Sequence, residues 1–341
     1  MFMSQHNEIH STVLWGLVLA AGDGTRLQRY IERLKGERLP KQFVNFIGQR
    51  SMLEHTYQRA EKLIPPEKIL TIVGRHHLQH VEVRRQLSSR DKNTVIVQPA
   101  NKETGPGILL PLIHLYKRCP EAIVSVFPSD HFILEEDRFM AHVDLAAQAV
   151  ARNPSRMVLL AMEAQAPEVE YGYVVPWEGG GEIDLHGARR VARFVEKPHK
   201  HMAQELFESG ALWNTMIMVF KVKTLLQMIQ DISPDMHCQF IRILDAIGTE
   251  DEQRTIDEVY RTLEPINFSK GFLEKISEVY PETISVLPVL QIYWSDWGSP
   301  QRLVESQQLL GLCPPRSDAA QSRAARDERA ATRISGRTLA W

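Results

Sequence analysis

Short runs of apolar and β-branched residues, each four to eight residues long, recur through the first half of the chain. Such runs suit strands that are buried on both faces of a parallel sheet. Parallel neighbours need long crossover connections, which are usually helices. This pattern constrains the fold more than any other feature, and it predicts strands at residues 13–20, 69–73, 94–97, 122–127 and 157–161.

The segments between these runs carry helix signals. Ser51 and Glu54 have the spacing of a capping box, and the apolar positions that follow repeat at helical intervals until Pro65. Residues 108–116 and 139–151 have similar patterns. Strands that alternate with helices predict an α/β fold, here a doubly wound, mostly parallel mixed sheet with right-handed crossovers.

The pattern of predicted elements changes after Glu163. Predicted strands at 171–176, 193–195 and 216–221 have shorter connections. We expect this half to extend the same sheet with mixed strand directions. The predicted organisation is a flexible arm at 1–12, one domain at 13–312 with halves at about 13–162 and 163–312, and a frayed or disordered tail at 313–341.

The composition excludes several classes of protein. A net charge of −2 over 341 residues gives no global basic field that would attract nucleic acid or an anionic membrane. Three widely separated cysteines support neither a disulfide framework nor a cysteine-rich zinc site. No apolar run reaches the ~18 residues of a membrane helix, and no basic segment precedes the first predicted strand. We expect a cytoplasmic protein without nucleic-acid or membrane partners, and the sequence leaves open a homo-oligomer.

A glycine-containing loop directly follows the first predicted strand. Gly22 and Gly24 would let backbone N–H groups turn toward an anion, and Arg26 would add a charge-assisted hydrogen bond. Leu27 stands where a Rossmann fingerprint needs a small residue, and the lysine of a Walker A loop is absent. Lys41, between a proline and an aromatic residue, would suit a polyphosphate, although a solvated surface lysine is the plainer interpretation.

Together with the later motifs, this loop resembles the signature of the sugar-1-phosphate nucleotidyltransferases. The similar segments follow in the family's order from about residue 14 to residue 308. They are Gly22-x-Gly24-Thr25-Arg26-Leu27, Pro40-Lys41-Gln42-Phe43, Gln98-Pro99 with Thr104 and Pro106, Phe127-Pro128-Ser129-Asp130-His131, Tyr171-Gly172-Tyr173, Phe194-Val195-Glu196-Lys197-Pro198, Trp213-Asn214 and Trp294-Ser295-Asp296-Trp297-Gly298-Ser299. Several of these forms look most like the mannose-1-phosphate guanylyltransferase branch.

The resemblance implies a Rossmann-like or GT-A-like fold with a nucleotide-binding half and a sugar-binding half. It also implies formation of GDP-mannose and pyrophosphate from GTP and mannose 1-phosphate, with Mg²⁺ as the cofactor. The roles that it assigns are catalytic for Arg26 and Lys41; nucleotide binding for Ala20, Ala21, Gly22, Gly24, Thr25, Gln98 and Thr104; sugar-phosphate binding for Gly172, Glu196, Lys197 and Asn214; and metal binding for Asp130 and Asp296.

Three departures from the family's pattern leave alternatives open. The segment 28–39 reads as a rewritten and longer loop, and Glu103 places a negative charge near the expected nucleotide. Thr215-Met216 replaces the usual Ser-Gly after Trp-Asn. The alternatives are the same chemistry on another sugar phosphate or nucleotide, and a catalytically silent relative that binds sugar nucleotides.

Single residues among these also have plainer interpretations. Asp130 alone would serve as a helix N-cap, and Asp296 or Asn214 would serve as a turn residue. His76 and His77 could resemble a metal pair, but a complete set of zinc ligands is not evident around them in the sequence.

Overall fold

The computed structural model of the chain describes residues 14–179 and 187–312. The predicted arm at 1–12 and the predicted tail at 313–341 lie outside the described residues. The chain divides into two compact units, one ending at Trp297 and the other beginning at Gly298.

Nine strands of the first unit form one sheet in the order β3-β2-β1-β4-β9-β6-β10-β8-β7. Strands β5 and β11 form a separate two-stranded sheet. The strands are β1 Leu14–Ala20, β2 Ile69–Gly74, β3 Val95–Gln98, β4 Ile123–Pro128, β5 Phe132–Ile133, β6 Met157–Glu163, β7 Tyr173–Pro176, β8 Arg189–Val195, β9 Leu212–Lys221, β10 Ile284–Val289 and β11 Trp294–Ser295.

The large sheet is mixed and mostly parallel. Strands β1 to β4 pair in parallel, and β6 pairs in parallel with β10. Strand β9 runs antiparallel between β4 and β6, and β8 runs antiparallel to β7 and β10. The carboxyl ends of β1 and β4 therefore meet at one edge, where open α/β sheets bind their ligands.

Helices connect most of the strands. In the first unit they are α1 Gln28–Lys35, α2 Met52–Ala60, α3 Val81–Leu87, α4 Thr104–Arg118, α5 Glu136–Arg152, α6 Lys200–Glu208, α7 Val222–Ile232, α8 Pro234–Ala246, α9 Glu252–Thr262 and α10 Glu274–Val279. In the second unit α11 spans Pro300–Leu309, and the side chain of Ser299 caps its first turn. No helix among the described residues is both long and apolar enough to cross a membrane.

Two apolar cores lie on the two faces of the large sheet, because alternate residues of a strand point to opposite faces. Leu17 packs with α4 and with the helices between β9 and β10, whereas Val18 packs with α2 and α5. The wholly buried patterns of β2 and β4 follow from this double coverage. The expected α/β class is confirmed.

The predicted strands and helices of the first half are present, with shifts at their ends. Helix α2 begins at the predicted capping box, in which the Ser51 hydroxyl accepts from the Glu54 backbone and the Glu54 carboxylate accepts from the Ser51 backbone. The interpretation of segment 28–39 as a loop is wrong, because Gln28–Lys35 forms a helix that ends at Gly36 with φ 76°. Ile31 supplies its buried apolar contact.

The small sheet of β5 and β11 has a large consequence for the site. Trp294 pairs with Ile133 and Ser295 pairs with Phe132 in an antiparallel register. If the same register is continued by one residue, Asp296 lies opposite His131. Asp296 is thereby placed beside the segment that contains Asp130, although more than a hundred positions in the sequence separate them.

We expect His114 in α4 to make the fold sensitive to mild acid. Burial lowers the pKa of His114 to about 4, and its Nε2 lies 3.9 Å from Glu252, beyond hydrogen-bond reach. The unfolded chain, with an ordinary pKa near 6.5, binds the proton first, so stability is full above pH ~6.5 and falls toward pH ~4. This histidine contributes at most about 3 kcal/mol to that loss.

Urea denaturation at pH 7 and pH 5 measures the effect. His114→Leu should lose less stability than the wild type between these pH values, whereas His201→Leu, at an exposed side chain, should behave like the wild type. An equal loss in all three proteins would contradict this prediction.

Candidate active site

The loop after β1 is held in a fixed conformation by its neighbours. Gly24 has φ 59°, and a Cβ atom there would lie 2.9 Å from the Lys41 backbone nitrogen, so glycine is required for this close approach. The Gln42 amide donates to the carbonyls of Ala20 and Gly22 at 2.9 and 2.8 Å. Both bonds use carbonyl oxygens, so Gln42 holds the loop through its acceptors.

A side-chain network at Asp23 fixes the tip of the same loop. The Asp23 carboxylate contacts His76 Nε2 at 2.7 Å and accepts from Asn101 at 2.9 Å. Burial raises the pKa of Asp23, but these two hydrogen bonds outweigh it and hold the pKa below its usual value. The network ties the loop to the ends of β2 and β3.

The Asp23 carboxylate lies next to His76 and His77, a contact that was not evident from the sequence. His77 is buried, and burial lowers its pKa to about 4. Its Nδ1 accepts the Gly74 N–H at 3.4 Å, so the neutral ring carries its proton on Nε2, which faces Asp23 at 3.4 Å. A protonated ring nitrogen is not a metal ligand, so this geometry favours a hydrogen-bonded network over a metal site.

Lys41 is the buried cation of the site, so the interpretation as a surface lysine is wrong. Its side chain is 5% exposed, and its ammonium contacts Asp130 Oδ2 at 2.9 Å. The ammonium also donates to the backbone carbonyl of Asp296. One charge therefore joins the segments that follow β1, β4 and β11.

Asp130 lies directly after β4 and opens to the cavity, with 40% of its side chain exposed. Burial raises its pKa, but the Lys41 ammonium outweighs that effect and keeps the pKa below its usual value. The carboxylate is therefore an anion at neutral pH. Asp130 is not a helix N-cap, because the cap position of α5 is Glu135.

Asp296 is held by groups from different parts of the chain. Its Oδ1 accepts from the Tyr171 hydroxyl at 2.9 Å, and its Oδ2 lies 3.6 Å from the Arg26 guanidinium. Arg26 also donates to Glu170 at 3.0 Å. Arg26 is thus shared between two carboxylates.

A second group of residues lies where β7, β8 and β9 meet. The backbone of Asn214 donates to the Gly172 carbonyl at 2.8 Å, and a Cβ at Gly172 would lie 2.6 Å from Glu196 Oε2. Burial raises the pKa of Glu196, and nearby Glu274 adds to the rise. Lys197 follows with φ 46° and an exposed ammonium 4.0 Å from Glu196.

Both groups open into one cavity of about 310 Å³. That volume is in the range of small-molecule sites. The residues lining it are Leu19, Gly22, Gly24, Arg26, Gln42, Thr104, Pro128, Ser129, Asp130, His131, Glu196, Lys197, Met216, Asn267, Ser269 and Asp296.

Eight of the residues singled out from the sequence lie on this wall: Gly22, Gly24, Arg26, Thr104, Asp130, Glu196, Lys197 and Asp296. Lys41 and Asn214 are buried against wall residues. Gln98 is buried behind the wall, and its Oε1 has no hydrogen-bond partner among the described residues. Ala20, Ala21, Thr25 and Gly172 contribute to loop geometry rather than to the wall.

Sequence reasoning missed several wall and support residues. Gln42 sits inside a quoted motif, but its role as a clamp on two carbonyls has no sequence signal. Glu170 reaches the site from a loop, and Ser269 reaches it from a π-helical turn. Neither segment has a sequence periodicity that predicts it. Met216 stands out in the sequence only as a departure from the family's pattern.

Backbone strain is concentrated around the cavity. Lys197 and Met216 line it, and Glu103 and Trp297 adjoin the wall residues Thr104 and Asp296. All four have φ between 45° and 67°, a region that favours glycine. Such conformations cost about 1–3 kcal/mol each and persist mostly where function requires them.

Comparison with known proteins agrees with this geometry. The family model described as nucleotidyl transferase matches residues 15–311. Over 292 residues the chain is 28% identical to the xanthan biosynthesis protein XanB of Xanthomonas campestris pv. campestris (strain B100), covering 85% of this chain and 58% of that protein. Over 225 residues it is 30% identical to a mannose-1-phosphate guanylyltransferase of Escherichia coli, covering 65% of this chain and 46% of that protein. The chain thus spans about half the length of these curated relatives.

A solved structure is similar over most of the chain. It is described as a mannose-1-phosphate geranyltransferase from Thermus thermophilus, and it superimposes with a TM-score of 0.69 at 26% identity. The match covers 84% of this chain and 76% of that one.

Removing the Lys41 charge should destabilise the protein through Asp130. Lys41→Met takes the ammonium away from the Asp130 carboxylate and removes one hydrogen-bond donor from the backbone carbonyls of Asp296 and Trp297. We expect a loss of about 1–3 kcal/mol in urea denaturation. Asp130→Asn in the Lys41→Met background should recover part of that loss.

The matched control is Lys35→Met, at an exposed lysine that pairs with Asn45, which should cost less than about 0.5 kcal/mol. Additive effects of Lys41→Met and Asp130→Asn would show that the two side chains do not interact, contrary to the structure.

Adding a methyl group at Gly172 should disturb the end of the cavity near Glu196. Gly172→Ala places a Cβ 2.6 Å from Glu196 Oε2 and 3.3 Å from Asn214 Cβ, so the Glu196 carboxylate must move. We expect sugar phosphate binding to weaken about tenfold or more by isothermal titration calorimetry, with nucleotide binding little changed. Gly107→Ala is the control, since its nearest neighbour would be 3.8 Å away. Equal effects of the two variants would refute the sugar-phosphate role assigned to Gly172 and Glu196.

Proposed function

The chain belongs to the nucleotidyl transferase family, and we propose that it forms GDP-mannose and pyrophosphate from GTP and mannose 1-phosphate. The observation that carries the proposal is the convergence of the glycine loop, Lys41, Asp130 and Asp296 at one end of the cavity. The mannose and guanine specificity is supported by the relative from Escherichia coli, a mannose-1-phosphate guanylyltransferase that is 30% identical to this chain over 225 residues. The proposal includes the doubly wound, GT-A-like arrangement of the family for the sheet and its helices.

The reaction joins two anions. An oxygen of the sugar 1-phosphate forms a bond to the α-phosphorus of the triphosphate, and the bond from that phosphorus to pyrophosphate breaks. No covalent enzyme intermediate is needed, so positioning and charge neutralisation supply most of the acceleration.

The nucleotide would lie along the loop after β1. Backbone N–H groups of residues 22–24 would meet the phosphates, and Arg26 would exchange Glu170 for phosphate oxygens. Lys41, below the wall, would remain with Asp130 and stabilise the negative charge that develops at the α-phosphate. Thr104 begins α4, whose positive end would face the nucleotide.

The sugar phosphate would occupy the opposite end of the cavity. Lys197 would supply an exposed ammonium for its phosphate, and Glu196 would accept hydrogen bonds from sugar hydroxyls. Asn214, which is buried and accepts the Met216 N–H, would support this part of the wall. The absence of a side chain at Gly172 allows Glu196 to occupy its position against β7. Both substrates then meet between Arg26 and Lys197, which share the wall of one cavity.

The acids at the site fit Mg²⁺ as the resident metal. Mg²⁺ prefers a few carboxylates together with phosphate oxygens and water. Asp130 is an anion that opens to the cavity, and Asp296 lies on the same wall. Asp130 and Asp296 would hold the ion, which would neutralise charge on the phosphates when bound.

A turnover assay tests the proposal. Purified protein with Mg²⁺, GTP and mannose 1-phosphate should release pyrophosphate, and Asp296→Asn should lower kcat by at least about a hundredfold. A panel of other triphosphates and sugar 1-phosphates should react more slowly.

Faster turnover of another pair would reassign the substrates within the same chemistry. Tight binding of GDP-mannose without any turnover would identify a silent binding protein and overturn the proposed activity.

A further inference from the structure

Met216 lies at an irregularity in the sheet. The pairing of β6 with β9 shifts register between Leu160 and Ala161, opposite Thr215 and Met216. The Thr215 hydroxyl donates to the Leu160 carbonyl at 2.6 Å and accepts from the Ile217 backbone at 3.2 Å. These bonds replace ladder hydrogen bonds and hold the bulge open.

The backbone of Met216 adopts a left-handed conformation to fit this geometry. Its φ is 57°, where glycine is the ordinary residue and a long side chain is disfavoured. The Asn214 side-chain carbonyl accepts the Met216 N–H at 3.1 Å, which fixes the conformation. Glycine would relieve the strain at this position, so the methionine side chain itself needs an explanation.

The side chain lies where a substrate would be recognised. It lines the cavity together with Glu196 and Lys197, and its Sδ is 2.9 Å from the Ser269 hydroxyl. Ser269 also lies beside the Glu196 carboxylate. The thioether is partly buried against the apolar core, and this packing restricts the motion of the side chain in the wall.

We propose that Met216 is a specificity-determining residue that limits the size of the sugar 1-phosphate. This inference rests on the proposed function, and it assigns unsubstituted hexose 1-phosphates as the substrate class. An acetamido group in place of a hydroxyl would need volume next to the thioether, so we expect N-acetylhexosamine 1-phosphates to be poor substrates. An apolar side chain in contact with the substrate discriminates through steric fit, since it cannot exchange hydrogen bonds with an amide.

The experiment compares wild type with Met216→Gly, Met216→Ala and Met216→Leu. Each protein receives Mg²⁺ and GTP with either mannose 1-phosphate or N-acetylmannosamine 1-phosphate, and kcat and KM are measured separately. Met216→Gly should raise the kcat/KM ratio of the acetylated to the plain sugar about tenfold or more, mostly through KM. Met216→Leu should keep the wild-type ratio. A ratio that stays within about twofold in Met216→Gly overturns the inference.

Two further measurements separate this inference from the proposed function. If wild type turns over neither sugar, the proposed function fails, and calorimetric titration of the two sugar phosphates into wild type and Met216→Gly then decides the role of Met216. Selective gain of N-acetylmannosamine 1-phosphate binding in the glycine variant supports it, and equal affinities overturn it. Met216→Gly should also have a higher melting temperature than Met216→Ala. Both variants lack the thioether, but only alanine is strained at φ 57°. The reverse order would contradict the strain at this position.

Discussion

The site depends on the contacts that the Lys41 ammonium group makes. This group lies below the cavity wall and contacts Asp130 and the backbone of Asp296, which follow different strands. A buried lysine is costly without partners, so the carboxylate and the carbonyls must converge on it for the fold to be stable. The two-residue ladder of β5 and β11 supplies that convergence, because its register sets Asp296 beside the Asp130 segment. Gly24 completes it, since only glycine lets the β1 loop approach the Lys41 backbone.

Electrostatics and strain together prepare the site for its substrates. Arg26 is paired with Glu170 and Asp296, and Asp130 is paired with Lys41, so opposite charges are balanced within the cavity. Anionic substrates would exchange with some of these partners rather than enter a site of unbalanced charge. The left-handed residues Lys197 and Met216 hold side chains on the wall at a cost in backbone energy. The rigid sheet beneath them provides the stability that offsets this cost.

Much of the fold follows from patterns that act over short distances. The apolar runs predict β1 to β4 because strands covered on both faces have no polar side to display. The Ser51 and Glu54 spacing predicts the start of α2 because a capping box is a local structure. Helix α1 does have a helical pattern, with Leu27, Ile31 and Leu34 on one side, but the segment is short and mostly charged. Its difference from the family's usual loop led to the wrong interpretation. The helices between β9 and β10 pack on a core that long-range contacts define, so the sequence does not reveal their placement either.

The candidate site is predictable as a set of residue types but not as a geometry. Arg26, Asp130 and Asp296 lie on one wall as the motifs suggest, whereas the burial of Lys41 and the position of Gln98 behind the wall depend on tertiary packing. Contacts such as Tyr171 with Asp296 and Ser269 with Met216 join residues far apart in sequence. Side-chain orientation across such distances has no local signal, and for this reason the roles of Ser269 and Met216 emerge only from the structure.

In the proposed reaction, Asp130 and Asp296 hold one divalent ion next to the nucleotide phosphates. Crystals grown with Mn²⁺ and GTP test it most directly, because manganese replaces Mg²⁺ at oxygen sites and is located by its anomalous scattering. We expect an anomalous peak within about 2.5 Å of both carboxylates and of a phosphate oxygen, and its loss in Asp296→Asn. Bound nucleotide with no such peak, or with the ion held elsewhere, would contradict it.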